Sequence, residues 1–360
     1  MLALSTIVDP AETCTRWQHF WHGELYGRPP VVASITKPNY AQVWPGERRY
    51  ERALHGQYEL ILDAIDRWLD ATLFLADTVP FFEPGLGPDQ FAAFFGGTLH
   101  ISEDSPETSW MEPFVRNTWK DVLPLRVRED NPVWRGLLNF YQRVAAHARN
   151  RYVVGMADLH SNLDALAAMR GPERLCIDLY DCPDLVAAAL ADMRAAYPFV
   201  YETLSAAGGM NSAGGTIGWL PLWCPGRCAT IQCDTLCLIS PEFSRRFVLP
   251  ALEEEAAFLD HSILHLDGPG ALVHLDDLLA ISRIDVVQWV PGAGQPPMHT
   301  WIELLRHIQR SGKAVYVYGV RVDDVKQIHP MLRPEKTVYS VELDSCEEGE
   351  ALLAWLTRHC

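Results

Sequence analysis

The stretch Ile263–Gly270, ILHLDGPG, is where the chain discloses its architecture. An apolar run reaches a histidine, and an aspartate follows two residues later, just before a Gly-Pro-Gly turn. Side chains alternate along a strand with period two, so His265 and Asp267 point to the same side. They stand where a strand passes into a loop, which is where α/β barrels carry their chemistry. An imidazole and a carboxylate converging there can hold a metal or move a proton. The plainer reading is a hydrogen-bonded pair that pins the loop.

The same rhythm runs outward in both directions. Downstream, the spacing predicts a helix over Leu272–Ile281, the strand IDVVQWV, a helix over His299–Arg310 and the strand AVYVYGV. A helix near Val322–Leu332, the strand TVYSVEL and a last helix over Glu347–Arg358 follow. Upstream, Ser240 caps a helix that Pro250 bends or interrupts. Helices are expected over Val133–Asn150 and Asp184–Ser205, with the strand YVVGM and a further helix, DLHSNLDALAAMRG, between them. GGTIGWL reads as a strand, as do VVASIT and ATLFLAD, the latter ending at Asp77 after an amphipathic helix over Tyr58–Asp70. Residues Pro80–Pro132 read as irregular, and a loop that long inside a compact protein is more often functional than accidental.

Alternating strands and helices imply parallel strands with crossover helices. VVASIT, LFLAD, YVVGM, TIGWL, ILHLD, VVQWV, VYVYG and VYSVE make about eight strands, the number of a (β/α)8 TIM barrel. Residues 1–56 are expected to form an N-terminal extension and 57–360 the barrel. A doubly wound open sheet is the competing arrangement. No Gly-x-Gly-x-x-Gly follows the first strand, so neither NAD nor another nucleotide is expected.

Composition narrows the partners. The 360 residues carry a net charge of −16 with a sequence pI near 5.2. Such an acidic balance argues against nucleic acid or an anionic membrane as main partner. It leaves room for a small-molecule substrate. The start of the chain lacks a signal-peptide pattern, and no apolar run approaches the roughly 20 residues of a membrane span. A cytoplasmic location is expected, with the nine cysteines as free thiols. A homodimer is compatible with the sequence, which fixes no oligomeric state.

On these residues the chain resembles the uroporphyrinogen decarboxylase superfamily, which includes zinc-dependent, corrinoid-linked methyltransferases and, more distantly, cobalamin-independent methionine synthase. Ile239–Asp260, ISPEFSRRFVLPALEEEAAFLD, is similar to the helix before the fifth barrel strand, and ILHLDGPGALVHLDDLL to that strand and the next helix. LFLADTVPFFEPGLG resembles the segment in which the decarboxylases place a pocket aspartate, here Asp77. GMADLHSNLDALAAMRGPERLCIDLYDCPDLV resembles a strand, a turn and paired helices. The likeness runs from about residue 60 onward and implies a barrel. The arginine-rich start that grips substrate carboxylates in the decarboxylases has no counterpart, although Arg28, Arg48 and Arg49 are present.

The zinc methyltransferases carry His-x-Cys at the end of strand five and a further cysteine after a late strand. Here the first motif reads His265-Leu266-Asp267, and Cys346 matches the second. The resemblance therefore implies zinc held by His265, Asp267 and Cys346. Zinc accepts nitrogen, sulfur and carboxylate oxygen, and a catalytic zinc keeps one position open. The implied reaction is methyl transfer to a substrate thiol, with a corrinoid protein as methyl donor. A decarboxylase of a tetrapyrrole or smaller carboxylate, with Asp77 stabilising a cationic intermediate, is the alternative. A ligand-binding barrel without chemistry is the third reading.

Further candidates fill the mouth. Asp77 and Asp234 are charged groups beside apolar runs, where they must be solvated, paired or in use. Asp158 and His160 follow YVVGM. Gln288 and Trp289 end VVQWV, and Trp289, like Trp223, offers a stacking surface for a flat or cationic ligand. The plainer reading of each tryptophan is an aromatic plug. Cys224, Cys228, Cys233 and Cys237 have spacings a structural zinc site permits. Buried free thiols are the default there, and for Cys346 too.

Overall fold

The computed structural model describes residues 4–7, 9–102, 105–212 and 214–360. It is an α/β fold around a mostly parallel seven-stranded sheet. The strands are β1 (Val31–Thr36), β2 (Thr72–Ala76), β3 (Phe81–Phe82), β4 (Leu99–Ser102), β5 (Ser105–Met111) and β6 (Val153–Val154). They continue as β7 (Cys228–Ile231), β8 (His261–Asp267), β9 (Val286–Val290), β10 (Ala314–Val320) and β11 (Thr337–Val341). Spatial order in the main sheet is β2-β1-β11-β10-β9-β8-β7, with β2 antiparallel to β1 and every other pair parallel. β3 and β6 form a separate parallel pair, and β4 and β5 an antiparallel one.

The hydrogen-bonded ladders do not close into the expected ring of eight. YVVGM contributes only the two residues of β6, and TIGWL forms no strand. Its backbone makes an isolated bridge, Thr216↔Cys224, and Ile217 accepts from Met156 N at 2.7 Å. Gly214 and Gly215 before it and Gly218 within it weaken any strand there. The segment expected to be irregular holds the β4–β5 pair and a short helix, Gln90–Ala93.

The long helices follow their sequence signals. Pro132–Ala148 begins with proline in its first turn, and the Asn131 side chain caps it by accepting from Val133 N at 2.7 Å. Pro183–Gly208 ends on Gly209 in the left-handed region, φ 57°. Near Pro250 the helix widens into a π-helical turn, Ser244–Val248, before Leu249–Phe258, where the proline lacks an N–H to donate. Among the described residues no helix is long and apolar enough to cross a membrane.

Strand parity sorts the core into two layers. Val32, Val153, Cys228, Ile263, Val286, Tyr316 and Val338, from β1, β6, β7, β8, β9, β10 and β11, meet in one apolar cluster with Trp17 and Trp223. Their neighbours of opposite parity, such as Leu264, Leu266, Val287 and Trp289, pack into the larger cluster that includes helical residues such as Leu305 and Ile308.

Candidate functional site

Two residues beyond Ile263 and Val286 on the same face come His265 and Gln288. They are ladder partners across the parallel β8–β9 pair, so their side chains stand side by side. Gln288 is buried, and its Oε1 accepts from His265 Nδ1 at 2.6 Å. That bond fixes the tautomer and leaves His265 Nε2 with a free lone pair. Asp267 follows on the same side of β8. Gly268, at φ 78°, then turns the chain, and its N–H donates to Val290 O at 2.9 Å.

The neighbouring strand repeats the pattern. The β7–β8 ladder ends at Ile231↔Leu264, and Gln232 and Asp234 come next on β7's side. Asp234, His265 and Asp267 each present a ligand atom within 4.8 Å of the others. His160, Asp164 and Asp234 do the same, so Asp234 belongs to both groups. His160 Nε2 lies 2.9 Å from Asp158 Oδ2, and its Nδ1 lies 3.8 Å from Asp164 Oδ2. Asp164 accepts from Asp234 N at 2.8 Å, Thr235 N at 2.9 Å and Thr235 Oγ1 at 2.6 Å, which fixes the Asp234 turn. Trp219 meets the His265 ring edge-to-face at 5.2 Å.

The charges perturb one another. Burial, the largest influence, opposes protonation of His160, but Asp158, Asp164 and Asp234 together outweigh it and raise its pKa to about 10. Asp234 is pushed up to about 6, by burial first and Asp164 next, with His160 and His265 opposing. Glu83, one residue past β3, is pushed up to about 7 by burial, against Arg49, whose Nη2 lies 2.7 Å from its Oε2. A protonated His160 donates from Nε2, so the Gln232 amide, 2.5 Å away, is satisfied best with its oxygen turned toward the ring. Gln232 Oε1 otherwise has no partner.

Behind this cluster, the buried Glu255 accepts from Ser161 Oγ and, at 3.4 Å, from Asn162 Nδ2. Asn162, at φ 59°, also donates to Gln232 O at 3.0 Å, tying the His160 loop to β7. Burial pushes Glu255 up to about 8.

Of the residues singled out from sequence, Asp158, His160, Asp234, His265, Asp267 and Gln288 come together. The others do not. Asp77 lies beside Val31, the first residue of β1, because β2 runs antiparallel and ends at the opposite edge of the sheet. Its buried carboxylate receives Arg16 Nε at 2.7 Å, Arg28 Nη1 at 2.5 Å and Val31 N at 2.9 Å. Cys346 belongs to neither ligand group. It lines a cavity of about 720 Å³ with Arg16, Arg28, Asp77 and Leu343, between the first helix, the β1–β2 pair and the last helix, Cys346–His359. Trp223 is fully buried in the inner apolar layer. Trp289 is fully buried on the opposite side of β9 from Gln288, edge-on to Trp301 at 5.1 Å. Period two requires that opposition. The Trp289 ring therefore does not face the cluster. The four central cysteines do not assemble: Cys224, Cys228 and Cys233 are buried, Cys237 is exposed, and among the described residues no cysteine joins either ligand group.

Asp164, Gln232, Glu83 and Glu255 were not anticipated. The Gln232-x-Asp234 repeat of the His265-x-Asp267 alternation, and the Asp158-x-His160-x-x-x-Asp164 spacing, were the available signals.

No family model matches the chain, and no curated protein matches it. Its fold is nevertheless that of a solved enzyme. A methyltransferase from Methanosarcina mazei superposes with a TM-score of 0.62 at 11% identity, over 96% of this chain and 98% of that one. At that identity the likeness is one of fold.

Proposed function

We propose that the chain is a metal-dependent, methyltransferase-like enzyme of the uroporphyrinogen decarboxylase superfamily, acting on a small molecule. A corrinoid-linked methyl donor follows from the resemblance alone. The observation that carries the reading is His265, braced through Nδ1 by Gln288 with Nε2 left free between Asp234 and Asp267. Common fold with a methyltransferase supports it, as does the inner apolar cluster drawn from seven strands, which is how a (β/α)8 barrel fills its interior.

The donor set fits zinc: one imidazole nitrogen and two carboxylates, with Asp234 in the place assigned from sequence to Cys346. Zinc held there would supply a Lewis acid that lowers the pKa of a substrate thiol. Gln288 orients His265, and Asp164 holds the Asp234 turn through three hydrogen bonds. His160 stands at the same cluster beside Asp164 and Asp234. Trp219 walls the His265 side.

The decarboxylase reading leans on Asp77, whose oxygens are taken by two arginines and a backbone N–H. Metal analysis tests the preferred reading. Protein purified without chelators is expected to retain zinc, and His265→Ala to lose one equivalent per chain with an unchanged circular dichroism spectrum. Wild-type protein without metal, or full metal content in the variant, overturns it.

A further inference from the structure

We infer that the cluster is built for two divalent cations, the second held by His160, Asp164 and Asp234, with Asp234 bridging to the first. The inference rests on the preceding reading, because Asp234 is shared with His265 and Asp267.

Three observations support it. Both ligand groups have their donor atoms mutually within 4.8 Å, and both contain Asp234. A carboxylate has two oxygens and can bridge ions about 3.5–4 Å apart, as in two-metal enzymes.

The two histidines are also braced alike. His265 engages Gln288 through Nδ1 and keeps Nε2 free. His160 engages Asp158 through Nε2 at 2.9 Å, and its Nδ1 faces Asp164 Oδ2. A metal-bound histidine typically donates its far N–H to a carboxylate or another acceptor in this way. Asp164 Oδ2 accepts only Asp234 N among the described hydrogen bonds, so a lone pair remains for a cation.

Independently, buried polar atoms beside His160 lack partners. Gln232 is 3% exposed and satisfies one end of its amide at the His160 ring, which leaves the other end buried without a partner. Asp158 Oδ1 is buried and unpaired as well. Unsatisfied groups of this kind are uncommon in a finished interior and mark where a ligand or its water shell completes the set. Donors dominated by carboxylate with one imidazole each suit manganese or zinc.

The test is titration of chelator-stripped protein with Mn(II), read by metal analysis and electron paramagnetic resonance. Wild type is expected to take two equivalents per chain, and the second to produce the signature of a spin-coupled pair. His160→Ala is expected to hold one equivalent with an uncoupled spectrum. Two equivalents without coupling, or two retained by His160→Ala, overturn the inference. One equivalent in wild type overturns it too, while leaving the single-metal reading intact; no binding at all removes both. The wild-type spectrum decides even if the variant fails to fold.

Discussion

Two regions of this molecule gather charged side chains, and they differ in what is left over. Around Asp77 the carboxylate receives both arginines and Val31 N, while Trp17 Nε1 donates to its carbonyl at 2.9 Å. Around Asp234 the arrangement is incomplete. Among the described residues no hydrogen bond reaches His265 Nε2, one end of the Gln232 amide and Asp158 Oδ1 lack partners, and neither ligand group contains an arginine. A saturated ion network locks a fold, whereas an unsaturated one is shaped for something that arrives later. The contrast separates saturated from unsaturated carboxylates more sharply than burial or proximity to a cavity does.

The largest effect that can break this contrast is at Asp77. Asp77→Ala leaves the buried Arg28 guanidinium without its anion and Arg16 with Glu12 alone, and is expected to destabilise the fold by about 3–5 kcal/mol. Asp267→Ala in metal-free protein removes one of several crowded acids and is expected to change stability by less than about 1 kcal/mol. Urea denaturation of both variants checks this. Comparable losses would mean that the two networks serve the same purpose.

The frame around both regions was legible in the sequence, and the reason is physical. Apolar runs such as VVQWV and AVYVYGV carry enough strand character alone, and β10 matches its expected span, Ala314–Val320. Pairing is another matter. TIGWL has the composition of a strand but no ladder, and a single segment does not encode its partner. The place of Asp77 was hidden similarly: LFLAD reads as a strand ending in an aspartate, yet nothing in those residues says that β2 runs antiparallel and delivers Asp77 to a cavity away from the His265 cluster. Trp289 was decidable, since parity with Gln288 already put it on the other face. Asp164 was hidden inside a helical pattern, Asn162–Arg170, where only the folded loop turns it toward Asp234.

A smaller effect tests how the open cluster is supported. Glu255, at about 8 in the folded chain against an ordinary 4.5, takes up a proton on folding between those values. Stability it contributes is therefore full below about pH 4.5, falls as pH rises, and is lost above about pH 8, a change on the order of a few kcal/mol. Glu83 acts with the same sign between 4.5 and about 7. Glu255→Gln keeps an oxygen for Ser161 and Asn162 without the titration. Its stability is expected to fall less than that of wild type between pH 5.5 and pH 8.5 in urea unfolding. Parallel pH dependence in the two proteins would show that Glu255 is not the protonated prop of the His160 loop.

The smallest expected effect falls on Cys346, and a null result there is informative. Cys346 opens the last helix, where Ser345 caps by accepting from Glu348 N at 3.2 Å, and its side chain lines the Asp77 cavity. A metal ligand lost from a three-ligand site costs most of the affinity, whereas a thiol that only lines a cavity costs little. Cys346→Ser is therefore expected to leave zinc content and affinity unchanged and to shift stability by less than about 1 kcal/mol. A fall in zinc affinity of tenfold or more would bring Cys346 back to the metal. It would require the last helix to swing from the saturated region to the open one, and the separation of the two regions would then describe only the metal-free protein.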